Sequence, residues 1–370
     1  MNDEQLFQIA LSLIPKLPIK DIRILLNNFG SAEEVFKKEN LKGIPNLNPE
    51  TKKALLNGSL LSAAEKEQRN MRDNSVKGHF LLDEDYPYRL RECPDAPIML
   101  FSRGVNDLNA LKIIAIVGTR KATPLGKETA QLLLKELSRH FPDLLVVSGL
   151  AYGIDVIAHQ SALQNGLKTI GVLAHGLHEI YPPSHRRIAA EMVLKDGALV
   201  SEYPWGTPSL PYRFRERNRI IAGLSDVCIV IESAIDGGSL ITARFARDYN
   251  RDVLAFPGRN IDKYSSGCND LIKLRSAALV ESADDVMREM NWISPIKRKA
   301  RQQNLFAELP ATQKMILNLL KAGQILNAND LSIQTSLKVN ELLAHLLELE
   351  MEGLTESLPG GRFRRKSFTA

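Results

Sequence analysis

Three turns and one helix start in this chain carry the residue types that hold phosphate. Gly118-Thr119-Arg120 follows the apolar run Ile113–Val117 and offers a close-approach glycine, a hydroxyl and a guanidinium. Arginine clamps a phosphate through two parallel hydrogen bonds. Ser148-Gly149 follows a second apolar run, Leu144–Val147, and leads into a helix that carries Asp155 and His159. Gly237-Gly238-Ser239 comes after a third, Val227–Ile231, and opens another helix, where backbone amides and the positive helix end favour an anion. Between them lies a basic stretch in which Arg213, Arg215, Arg217 and Arg219 stand among Tyr212, Phe214 and Asn218. Arginines for phosphate with aromatics for base stacking suit a single-strand nucleic-acid site.

Other chemistries are weaker. Asp155 and His159 are four apart and share a helix face, as an acid–base pair would. No activated nucleophile accompanies them. Asp155 near a helix start serves the dipole and local donors, with His159 simply pairing to it, and that reading is preferred. His175, His178 and His185 lie in one turn with Glu179 as the nearby acid, a poor metal set, so no metal is expected. Gly-x-Gly-x-x-Gly, the Walker pattern and an acidic ribose-binding residue after the second strand are all missing, so no cofactor is expected.

These turns need a rim to stand on. Strands are expected at Ile113–Val117, Leu144–Ser148, Thr169–Leu173, Ala198–Ser201, Val227–Ile231, Val253–Phe256 and Ala278–Val280, separated by helical patterns or polar links. Such alternation predicts an α/β fold with a mostly parallel sheet covered on both faces. Right-handed crossovers then bring the strand C-terminal loops to one rim. Residues 1–75 read as a small helical domain, SAM-like or helix–hairpin–helix, the hairpin falling at Gly43-Ile44-Pro45-Asn46-Leu47. Residues 76–291 hold the sheet; within them His79 to Val105 reads as irregular, with a short strand at Ile98–Phe101. A basic linker at 292–310 leads to a winged-helix-like domain at 311–370. Its helices are expected at Thr312–Lys321, Ala328–Thr335 and Val339–Glu352, with a hairpin turning at Pro359-Gly360-Gly361. Arg362, Arg364, Arg365 and Lys366 make its wing basic and are possible contacts for a nucleic-acid backbone. The third helix carries Glu341, Glu348, Glu350 and Glu352, which phosphate would repel, so duplex reading is not expected.

Composition sets wide bounds. The 370 residues suffice for two or three domains. A net charge of +5 is compatible with nucleic acid without establishing it. No apolar run approaches membrane-spanning length, and the first residues lack the marks of an export signal. Cys93, Cys228 and Cys268 have no metal spacing, which together with the rest points to a reducing cytoplasm.

In this order and spacing, IAIVGTR, SGLAYGIDVIAH, IYPPSH, RNRIIAGLS, GGSLITARFA and FPGRN resemble the DNA-processing protein A (DprA/Smf) family. The resemblance spans Asp83 to Val286. It implies an extended Rossmann-like fold that binds single-stranded DNA without hydrolysing it, as a homodimer that helps load RecA during natural transformation. Carried over by motif, Gly118, Thr119, Arg120, Gly237, Gly238, Ser239 and the run Arg217-Asn218-Arg219 would belong to the DNA pocket. His185, Arg215-Glu216 and Gly237 depart from the family's usual residues. Two rival readings stay open. One is a nucleotide phosphoribohydrolase-like enzyme, although the chain lacks that class's later glycine and glutamate after Gly237-Gly238. The other is a duplex-binding regulator that uses the winged helix.

Overall fold

The structure is a computed structural model and describes residues 3–15, 17–37, 47–56, 58–104, 107–293, 309–320, 325–351, 354–358 and 361–365. Met1–Trp292 and Ile293–Ala370 are two compact units. No described helix is long and apolar enough to cross a membrane.

The first unit starts with α1 (Asp3–Ser12), α2 (Ile19–Phe29), α3 (Ala32–Val35), α4 (Pro49–Leu55) and α5 (Ser59–Asp73). Helix α2 stops where Gly30 turns left-handed at φ 79° and returns its N–H to the Leu26 carbonyl. Ser31 then starts α3 by accepting from the Glu34 N–H. Ile9, Leu11, Ile22, Leu25 and Val35 form one apolar cluster with Phe80, Met99, Phe101 and Leu199 of the sheet. The helical segment therefore shares its core with the sheet. Residues Gly43 to Asn46 of the expected hairpin, and 294–308 of the expected linker, lie outside the described residues.

Next come β1 (Lys77–Phe80), α6 (Tyr88–Arg91) and β2 (Met99–Gly104). Strand β1 falls in the stretch expected to be irregular. Four residues are too few to show a strand period. What fixes it is tertiary: the buried His79 ring meets Ser102 Oγ at 2.8 Å and Asp85 Oδ2 at 3.0 Å.

The alternating region follows: β3 (Ile113–Gly118), α7 (Pro124–His140), β4 (Leu145–Ser148), α8 (Ile154–Gln164), β5 (Lys168–Val172), α9 (Arg186–Leu194), β6 (Ala198–Ser201) and α10 (Arg213–Leu224). It continues through β7 (Val227–Ile231), α11 (Ser239–Asp248), β8 (Asp252–Ala255), α12 (Ser266–Lys273), β9 (Ala278–Leu279) and α13 (Ala283–Glu289). The sheet runs β1-β2-β6-β5-β4-β3-β7-β8-β9. From β6 to β9 every pair is parallel, while β1–β2 and β2–β6 are antiparallel. All the strands expected from Ile113 onward are present, with ends shifted slightly.

Alternation along β3 decides the layers. Ile113, Ala115 and Val117 pack under α10 and α11 through Ile220, Ile221 and Ala243. Ile114 and Ile116 face α7, α8 and α13 through Leu134, Ala158 and Val286. Each fully buried Ile or Leu here contributes about 1.5–3 kcal/mol. At the amino end of β3, Asp226 accepts the Ile113 N–H at 2.8 Å and the Arg89 fork at 2.6 and 3.0 Å.

In the second unit, helices Ala311–Leu319, Ala328–Thr335 and Val339–Met351 bury Ile316, Leu331, Leu342, Leu346 and Leu349. A small sheet, β10 (Ile325–Asn327), β11 (Thr355–Leu358) and β12 (Arg362–Arg365), has the order β10-β12-β11. Strand β10, three residues long, escaped the sequence reading. In the wing, Arg364 pairs across strands with Glu356 at 2.8 Å; Lys366 lies outside the described residues.

Candidate nucleic-acid interface

Strand order makes the crevice. The chain leaves β3 towards β4 on one side, yet β7 docks on the other side of β3. Helix α7 after β3 and helix α11 after β7 consequently cover opposite faces. At such a switch point the two loops part and open a cleft beyond the strand ends. Here the cleft is a cavity of about 530 Å³. It is lined by Gly118, Thr119 and Arg120 from the first turn, Phe214, Arg215, Arg217 and Asn218 from α10, and Gly237, Gly238 and Ser239 from the third turn.

The first turn is held from both sides. The Thr119 N–H donates to the Glu232 carbonyl at 2.8 Å, and its carbonyl accepts from the Ile154 N–H at 3.1 Å. The Glu232 carboxylate accepts from the Thr123 N–H at 2.9 Å and from the Thr123 hydroxyl, beside the start of α7. Gly153, at φ 75°, lies so close that an added Cβ would sit 2.1 Å from the Thr119 carbonyl oxygen. Gly153→Ala is therefore expected to cost about 1–3 kcal/mol, seen as a lower denaturation midpoint, because both its backbone angle and its space require glycine.

Two cations are left for a ligand. Arg120 is exposed, with its guanidinium carbon 5.6 Å from the Phe214 ring centre. Arg215 is also exposed, and neither makes a hydrogen bond or ion pair among the described residues. Opposite them, the Gly238 and Ser239 N–H groups at the start of α11 have no partner among the described residues, while Ser239 Oγ donates to Ser233 Oγ at 2.7 Å. Asn218 Nδ2 reaches the Gly238 carbonyl at 3.3 Å and ties α10 to this turn. Arginine on one wall and open amides on the other suit a phosphate diester.

Arg217 plays a different part. It is 3% exposed, and its Nη1 donates to the carbonyls of Gly149, at 2.7 Å, and Val172. The guanidinium thus ties the ends of β4 and β5 together beneath the crevice. Burial pushes the Asp155 carboxyl up, against the pull of the neighbouring Arg217. Burial likewise lowers Arg217 to about 10, which leaves it charged at neutral pH. Ser148 is buried with its hydroxyl on the Ile116 carbonyl at 2.6 Å, and a Cβ on Gly149 would strike the Arg217 guanidinium. Arg219 points elsewhere, to Glu202 and the Asp95 carbonyl. Ser148, Gly149 and Arg219 are absent from the crevice lining. The reason is helical geometry: successive residues turn by about 100°, so Arg217, Asn218 and Arg219 cannot share one surface.

The expected pairing of Asp155 with His159 is not formed. His159 Nδ1 meets Thr169 Oγ1 at 2.7 Å, and its Nε2 is buried without a partner. Burial, with Arg217 and His185 nearby, lowers the ring to about 3, so it is neutral when folded. The unfolded ring takes up a proton near its ordinary 6.5. Between these values the unfolded chain binds more protons, and stability falls as pH falls. His159→Asn should flatten that part of the stability–pH curve, as followed by urea unfolding. His175 donates to the Gly176 carbonyl at 2.9 Å, and no cluster able to hold a metal occurs among the described residues.

The sequence reading missed Lys121, Asp236, Lys263 and Tyr264, which also line the crevice. Lys121 and Asp236 adjoin turns already singled out. Lys263 and Tyr264 follow β8, which neighbours β7; a strand-end position on the same rim was the available signal.

The pattern of the DNA recombination-mediator protein A family matches residues 78–291, over half the chain. The chain belongs to that family. The DprA winged helix domain matches residues 301–361. DNA processing protein DprA of Streptococcus pneumoniae is 42% identical over 212 residues, covering 57% of this chain and 73% of the relative. Protein Smf of Escherichia coli is 34% identical over 299 residues, 77% of each chain. The solved DprA structure from S. pneumoniae superposes with a TM-score of 0.61 at 32% identity, over 78% of this chain and 98% of that one. DNA processing protein A of Helicobacter pylori, solved for its single-stranded DNA binding mode, superposes with a TM-score of 0.52 at 28% identity, over 58% of this chain and 95% of that one. The extended Rossmann-like sheet and the winged helix of this DprA-family chain accord with these relatives.

Proposed function

We propose that this chain binds single-stranded DNA without hydrolysing it, holding backbone phosphates in the crevice between the β3 and β7 turns. One observation carries the reading: Arg120 and Arg215 stand without hydrogen-bond or ion-pair partners among the described residues, opposite the open Gly238 and Ser239 amides. Family membership supports it, as does the H. pylori relative solved for its single-strand binding mode. On this reading the chain protects incoming strands, loads RecA onto them in transformation and recombination, and works as a homodimer in the cytoplasm. Arg364 of the basic wing is already paired with Glu356, so the wing adds little to the grip.

The test is binding of labelled single strands across salt, with duplex DNA as competitor and RecA nucleation as a second readout. Single strands should win, sequence preference should be slight because phosphate contacts carry no base information, and log affinity should fall linearly with log salt. Equal competition by duplex, or base release from nucleoside monophosphates, would favour the two rival readings instead.

A further inference from the structure

The third helix of the second unit, Val339–Met351, is apolar on two sides. Leu342, Leu346 and Leu349 are buried in the unit's core. On the other side Val339, Leu343, Leu347 and Met351 recur every four residues and are 38, 41, 59 and 82% exposed. A helix that is apolar all round is normally buried. Exposed leucines scattered singly need no explanation, but four in one ridge do.

The surroundings of the ridge are acidic. Glu341 and Glu348 border one edge and Glu350 the other, and no Lys or Arg lies between Val339 and Met351. In a DNA-reading winged helix this helix enters the major groove. Phosphates on either side of a groove would meet carboxylates here, and the bases would meet leucines.

We propose that Val339–Met351 is a docking face for an amphipathic helix of a partner protein, one with an apolar ridge flanked by lysine or arginine. Apolar anchors at helical spacing are how a helix seats on such a face, and the bordering glutamates select basic flanks. A second copy of this chain fits worse. It would set Glu341, Glu348 and Glu350 against their own counterparts, and one ridge of four side chains falls far short of the roughly 800 Å² per partner of a stable interface. The proposal does not depend on the single-strand reading, since it concerns the other unit.

The test uses the full chain and a fluorescein-labelled synthetic helix with leucines at four-residue spacing and lysine flanks. The same helix with glutamate flanks is the comparison. Saturable binding of the lysine form, weakening as salt rises, is expected. Leu343→Ser with Leu347→Ser should weaken it at least about tenfold, and Glu341→Lys should weaken it at low salt. Circular dichroism melting unchanged from the parent shows that these exposed positions leave the unit folded. The proposal is overturned by absence of saturable binding up to about 1 mM peptide, by equal binding of the glutamate form, or by a serine variant that binds like the parent. Loss of duplex DNA binding in the serine variant would make the face a groove reader. Dissociation of a dimer by that variant in sedimentation would make it a self-contact.

Discussion

Arg120→Ala weakens single-strand binding about 10- to 100-fold, the effect of losing a charge-assisted hydrogen bond worth about 1.5–3 kcal/mol. The same change reduces the log–log salt slope by about 0.7, one phosphate's share of released counterions. Arg215→Ala acts alike, and the double variant loses two such increments. Thermal unfolding of either single variant matches the parent, because both side chains are exposed and make no hydrogen bond or ion pair among the described residues. An unchanged slope in a folded Arg120→Ala protein would remove this arginine from the site.

Arg217→Ala behaves in the opposite way. It leaves the Gly149 and Val172 carbonyls without their donor and the Asp155 carboxylate buried without its cation. Breaking a buried pair from one side costs about 3–5 kcal/mol, so the urea midpoint drops sharply and DNA binding is lost with the fold. Arg217→Lys recovers charge but not the fork that spans two strand ends. The loss in Arg217→Ala depends on pH. With its cation gone, Asp155 takes up a proton more readily in the folded state than in the unfolded chain. Stability of the variant therefore falls as pH rises above the ordinary carboxylate range, and the gap to the parent widens from pH 5 to pH 8. A gap independent of pH would mean that Asp155 is not the group left exposed to the loss.

The contrast between Arg120 and Arg217 shows where sequence reading reaches its limit. Both are arginines beside aromatic and glycine-rich motifs, and pattern alone treats them as equals. The strands were legible because β3, β4 and β7 are continuous apolar runs, as buried parallel strands must be. Glycine at 118, 237 and 238 marked the turns. Strand order was not legible, since nothing local states that β7 returns to the far side of β3, and that return is what opens the crevice. Nor does the spelling Arg217-Asn218-Arg219 reveal that three consecutive helical residues face a core, a cleft and a different surface. Lys263 and Tyr264 reach the crevice only because β8 lies beside β7. The short strands β1 and β10 are held by neighbours and leave no period to detect.

The pinned first turn bears on how fast a strand is captured. Thr119 is fixed by Glu232 on one side and Ile154 on the other before any ligand arrives. Ordering of this loop is completed during folding, so capture needs no slow closure step there. Association should then be governed by diffusion and by the field of the exposed arginines, with a single kinetic phase whose on-rate falls as salt rises. Release carries the strength of the grip, which makes residence time the quantity that substitutions in the crevice will alter most.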